Sequence, residues 1–261
     1  MEQINIPKDF GNVVDARFYS PNNPMVIFAS DNHFSRRAQV NIAKTYVDLT
    51  TEYGLKLVGL EGFEAGQIVF STPRGLPTET KYHWYTTLDG ITGYVPYGFL
   101  IKETARRLGL ETEGFGYTDM KLREQLMALT ELQSLLATEA RENILKSLST
   151  ENRQNTDNLI SKRVQTTNYF CARFGAANLL KRLHQRRERL ALIGMGFGHA
   201  EGFVRYMTEL YQAELRVNYQ IFEPIGLHDE SDKEAEQEYL KEMRAEGLLP
   251  ILDKLKELES R

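Results

Sequence analysis

The chain has a single cysteine, Cys171, so no internal disulfide framework can hold the fold and a reducing setting is expected. Nor is there an unbroken apolar run of the length a membrane span needs. The first residues, Met1-Glu2-Gln3-Ile4-Asn5-Ile6-Pro7-Lys8-Asp9, lack the basic and apolar regions of a signal peptide. These absences lead us to expect a cytoplasmic protein with no membrane segment. Excess positive charge is missing too: 32 Lys and Arg against 36 Asp and Glu leave a net charge of −4, which argues against a nucleic-acid partner. No repeat of solenoid period occurs, and no phosphate loop ends in Gly-Lys-Ser or Gly-Lys-Thr. The glycines at 194, 196 and 198 spell no dinucleotide fingerprint, because His199 stands where the third glycine belongs.

What is present suffices for one large α/β domain. The 261 residues include 41% hydrophobic side chains, enough for a full core without a compositional break into two domains. The acidity is concentrated at the end: residues 228–261 hold 11 acidic and 6 basic side chains, a net of −5. We therefore divide the chain into an α/β domain over 1–227 and an acidic, helical extension over 228–261 that packs away from the functional site.

Residues up to Pro24, with Pro7, Gly11 and Pro21, form a lead-in with one strand at most. Met25 to Ala29 is a buried strand, Ser35 caps the next helix, and Gly54 ends it. Leu55 to Leu60 follows as a second strand, completing a βαβ unit whose two strands run parallel with their C-terminal tips on one edge. From Phe63 to Phe99 regular periodicity fades while aromatic residues accumulate, Trp84 among them. A stretch of this kind serves as a lid or substrate wall over the tips, or as plain packing. A helix from Phe99 to Leu108 and a strand from Leu110 to Tyr117 come next. Two long helices then run over 120–148 and 158–184, separated by a polar break at 149–157. The second helix has an apolar stripe through Ile160, Val164, Thr167, Cys171 and Phe174, and Arg163 lies on or beside that stripe, where a guanidinium needs an anionic partner or must reach out to solvent. The basic cluster over 181–189 reads as a solvated helix end. A strand from Leu190 to Ile193, a helix from about Glu201 and a strand from Leu215 to Phe222 complete the expectation: a single three-layer domain around a mostly parallel sheet, with the long helices between the third and fourth strands.

Chemistry concentrates at strand ends. In open α/β sheets the ligand crevice lies outside the carboxyl ends of the strands, and His33, Glu61 and His199 all follow such ends. Two imidazoles and a carboxylate brought together there can hold a divalent cation, with zinc, manganese and cobalt not distinguished, or act without metal as general base and orienting acid. Asp119, at a further tip, either caps the next helix or joins the site. Asp31, in the Asp31-Asn32-His33 string, resembles the opening of a metallophosphoesterase, but the Gly-Asp and Gly-Asn-His blocks that should follow are missing.

Ser30-Asp31-Asn32-His33 and Gly196-Phe197-Gly198-His199 resemble the paired Gly-x-x-His motifs of the TraB and Tiki family, related to erythromycin-esterase-like and ChaN-like proteins. Glu61 matches that family's glutamate at the end of its second strand, Arg163 is similar to its arginine on the helix before the second histidine motif, and Asp119 resembles an aspartate there. Ser30 departs from the pattern, standing where the family has glycine. The resemblance spans about residues 25–210 and implies a hydrolase of a peptide or ester bond. It would be metal-dependent if Tiki-like, with His33, Glu61 and His199 as ligands, and would use a histidine base if esterase-like; Arg163 would orient a carboxylate or stabilise an oxyanion. ChaN-like members instead bind haem. The expected partner is a small molecule or peptide, and homo-oligomerisation stays open.

Overall fold

The computed structural model describes residues 3–61, 81–91, 99–114 and 150–229; the side chains of 99, 113–114, 150–164 and 167 lie outside that description. Six strands form one sheet: β1 (Gly11–Arg17), β2 (Met25–Asp31), β3 (Leu57–Leu60), β4 (Glu111–Gly114), β5 (Leu190–Gly196) and β6 (Asn218–Pro224). Their order across the sheet is β1-β6-β2-β5-β3-β4. Only the edge pair β1/β6 is antiparallel; every other pairing is parallel.

The helices are α1 (Arg36–Tyr53), α2 (Lys81–Asp89), α3 (Phe99–Arg107), α4 (Thr150–Arg186) and α5 (Ala200–Gln212), with a 3₁₀ turn at Phe197–His199 before α5. Side chains alternate across a strand, and the core divides accordingly. Met25, Ile27, Ala29, Leu192 and Phe222 pack with α1, α2 and α3. Val26, Phe28, Ile193, Met195 and Tyr219 pack with α4 and α5. The β2-to-β3 crossover thus uses one face and the β5-to-β6 crossover the other while moving in the opposite direction across the sheet, as right-handed connections require.

Local signals set the helix limits. Ser35 accepts a hydrogen bond from the Ala38 N–H at 3.1 Å, and Gly54 takes the left-handed conformation, φ 68°, that ends α1. The long helix differs from expectation. It begins at Thr150, so the Asn- and Thr-rich stretch expected as a break is helical from there on. Those residues cost only a few tenths of a kcal/mol each relative to the best helix formers, and no Pro or Gly interrupts them. Its buried face also differs, running through Ala172, Ala176, Leu179 and Leu183, while Phe174 is 37% exposed.

Part of the aromatic segment expected to lack regular structure is helical as well. In α2, Trp84 and Leu88 stand one turn apart and are buried in the core against the α1 side, and the Tyr85 hydroxyl donates to Asp48 at 3.0 Å. Trp84 is therefore a packing residue. The expected helix over 120–148, Asp119 and the acidic extension from 230 onward fall outside the described residues. No described helix is long and apolar enough to cross a membrane.

Where α5 crosses α4 the contact depends on a missing side chain: a Cβ on Gly202 would come 2.7 Å from the Tyr169 backbone. Gly202→Ala should therefore force the helices apart and cost about 1–3 kcal/mol. Urea denaturation checks this, and an unchanged midpoint would show that the crossing is looser than described.

Candidate active site

The register of the parallel strands brings three tips level. Asp31 of β2 pairs with Gly196 of β5, and Leu60 of β3 pairs with Gly194 of the same strand. With β5 between β2 and β3, the residues that leave these ends meet. His33 follows β2, Glu61 follows β3, and His199 sits on the 3₁₀ turn after β5.

Glu61 is the centre of the group. Its Oε2 lies 3.5 Å from His33 Nε2 and its Oε1 lies 3.4 Å from His199 Nε2. Oε2 also accepts the Gly196 N–H at 2.9 Å. A side chain at 196 would intrude here, since its Cβ would stand 3.1 Å from His33 Nε2. The outer nitrogen of each ring is held as well. His33 Nδ1 lies 2.8 Å from Asp31 Oδ2, and Asp31 is buried. His199 Nδ1 lies 3.1 Å from the Asn168 backbone oxygen, and the Asn168 side chain in turn donates to the Gly198 carbonyl at 3.1 Å.

This arrangement dictates where protons sit. Both Nδ1 atoms face acceptors, so both carry hydrogen, and a neutral ring would then turn an Nε2 lone pair towards a carboxylate oxygen. Something positive must separate them, either a proton on each ring or a cation. As protonated groups the rings are well served. Burial works against the charge on His33, but Asp31 and Glu61 outweigh it and raise its pKa to about 10. His199 is raised too, with burial again opposing and Glu61 prevailing. Burial alone would push the Glu61 pKa up; His199 and then His33 instead hold it well below the usual carboxylate range.

The donor types, though not their present placement, are those found in divalent-cation sites. Two imidazole Nε2 atoms with their Nδ1 atoms tied to a carboxylate and a backbone carbonyl form the usual outer support of metal-binding histidines. Separations of 3.4 and 3.5 Å match the spacing of about 3.4 Å expected between two ligands on a tetrahedral zinc ion. Among the described residues no group of three or more His, Cys, Asp and Glu side chains is placed so that it could hold a metal ion as it stands. Glu61 divides its two oxygens between the rings, and collecting all three donors about one ion calls for a turn of that carboxylate.

Arg163 lies on α4, with its side chain outside the described residues, as is Asp119. Trp84 does not line the pocket beside Glu61. That pocket holds about 20 Å³ and is walled by Asp31, His33, Leu60, Glu61, Ile101, Lys102 and Gly194. Lys102, the Gly196 N–H and Asn168 were not singled out by the sequence reading, although a cation between Ile101 and Thr104 is the same signal that drew attention to Arg163. Burial lowers the Lys102 pKa, with Glu61 and Asp31 opposing. Comparison with protein-family models, curated proteins and solved structures returned no match.

The site leaves a signature in stability. A raised His33 pKa stabilises the folded state fully below pH 6.5, and that contribution is lost as pH rises through about 10. The lowered Glu61 pKa contributes above pH 4.5 and is lost as pH falls further. Without added metal, the urea midpoint should therefore fall between pH 6.5 and 10, and the fall should flatten in Glu61→Gln. A wild-type midpoint that holds steady or rises over this range would contradict the assignment.

Proposed function

We propose that the protein is a hydrolase of carboxylic ester or peptide bonds, of the TraB and Tiki type that its motifs resemble, and that it depends on a divalent metal ion. The observation that carries this reading is the Glu61 carboxylate set between two imidazoles whose outer nitrogens are both tied, beside a pocket with room for one water molecule. The same resemblance reads residues 1–227 as a single three-layer domain and 228–261 as its acidic extension.

Metal dependence follows from the proton balance. With both rings protonated, Glu61 has too little affinity for a proton to act as a base. Metal binding requires neutral rings and displaces their protons; the ion would keep positive charge beside Glu61 but would acidify the attacking water, so that a weak base suffices. His33 and His199 would hold the ion and Glu61 would share in it. A bound divalent cation supplies Lewis-acid polarisation and lowers the pKa of a coordinated water towards neutrality.

The chain's own groups then do the following. Glu61 takes a proton from the water, whose oxygen bonds to the acyl carbon as the carbonyl electron pair moves onto the acyl oxygen. On collapse the acyl C–O or C–N bond breaks and its electron pair leaves with the departing atom. Glu61 returns the proton to that atom, giving a carboxylic acid and an alcohol or amine. Asp31 and Asn168 keep the rings oriented throughout. Nothing among the described residues favours the haem reading.

The test is hydrolysis of p-nitrophenyl acetate and of a panel of N-acetylated peptides. Activity should disappear with a chelator, return with zinc, manganese or cobalt, and fall by about 10²-fold or more in Glu61→Gln. Wild-type rates in both Glu61→Gln and His199→Asn would overturn the reading.

A further inference from the structure

We propose that β1 is an interface for a second copy of this chain, the two β1 strands pairing antiparallel about a two-fold axis at Ala16 and joining two sheets into one. The proposal is independent of the hydrolase reading, since β6 separates β1 from the strands that carry the candidate site.

β1 ends the sheet, and among the described residues it pairs only with β6. The direction of its free backbone groups follows from β6. Asn218 donates its N–H to the Pro24 carbonyl at 2.9 Å, on the β2 side. Backbone groups alternate sides along a strand, so Tyr219 and Ile221 turn theirs towards β1, where they meet Arg17 and Asp15. Ala16 and Phe18 therefore turn their N–H and C=O groups outward. Such a row is a template for one more strand.

The order of side chains selects a second copy as that strand. Pairing about Ala16 sets residues equally far from it against each other: Asp15 faces the partner's Arg17, Arg17 faces the partner's Asp15, and Val14 faces the partner's Phe18. Asp15 and Arg17 project from one face of the strand, the face on which Asp15 accepts the Tyr219 hydroxyl at 3.1 Å. A two-fold axis normal to the sheet preserves faces, so opposite charges meet twice, at positions where side chains come closest. Val14 and Phe18 are 53% and 45% exposed, and the pairing covers both. The apolar margin continues past the strand: Tyr19 stacks on the exposed Tyr211 at 5.0 Å, and Leu215 is exposed at the turn into β6. Charges and bulges commonly keep an edge strand single. Here the charges attract across the axis, and the bulge, between Val13 and Asp15, lies at the end of the proposed ladder and not at its centre.

Sedimentation velocity of the full-length protein over a range of concentrations tests this, with folding of each variant checked by circular dichroism. We expect a monomer–dimer equilibrium whose dissociation constant rises about tenfold or more in Arg17→Asp, where two carboxylates would oppose each other. The double variant Asp15→Arg with Arg17→Asp restores the pairs with their signs exchanged and should recover the dimer. Ala16→Cys should cross-link to its own copy on mild oxidation, beyond any cross-linking of the parent through Cys171, because directly opposite Cα atoms of a hydrogen-bonded pair stand about 5.5 Å apart. A monomer at every concentration, a dimer that Arg17→Asp leaves intact, or no recovery in the folded double variant would overturn the inference. Should the charge variants not fold, Ala16→Cys decides, and a dimer that fails to cross-link there counts against pairing through β1.

Discussion

Everything at the candidate site depends on one carboxylate shared by two imidazoles. Glu61 meets His33 through one oxygen and His199 through the other, and neither ring can face it in the neutral form without placing lone pair against lone pair. The sheet makes this contact unavoidable. Because β5 lies between β2 and β3 with their ends level, a one-residue slip in either pairing would turn the core side chains to the wrong face. The same register that buries Ile27 and Leu192 thus holds the two rings on opposite sides of Glu61.

That arrangement has a chemical consequence. Protons on the two rings relieve the repulsion and stabilise the fold, yet they leave Glu61 a poor base. A divalent cation relieves the same repulsion while leaving the rings neutral. On the proposed reading, the protons that settle the protein without metal are the ones a metal would displace, and activity would be tied to proton content.

Much of this was legible in the sequence because its signals were local. Ser35 before a helical pattern, Gly54 after it, and two apolar runs around them fixed a parallel unit, and with it the meeting of His33 and Glu61. The glycine-broken run before His199 marked the third tip. Other features had no local signal. Antiparallel pairing of β1 with β6 joins residues some two hundred positions apart. The hold on His199 comes from a backbone carbonyl, at Asn168, which any residue type supplies. The face of α4 was misjudged because its stripe was drawn through Phe174, whereas the small side chains of Ala172 and Ala176 let the helix approach the sheet. Lys102 was legible in principle: a lysine inside an apolar stripe carries the same message as Arg163.

The central claim is that Glu61 keeps both imidazoles positively compensated. The most direct measurement is ¹⁵N NMR of the His33 and His199 rings in protein stripped of metal, followed across pH. The account predicts that His33 stays an imidazolium well above pH 6.5 and titrates near 10, that His199 also titrates above its ordinary value, and that both move down in Glu61→Gln. Two rings titrating near 6.5 in the wild type, unchanged by that substitution, would contradict it.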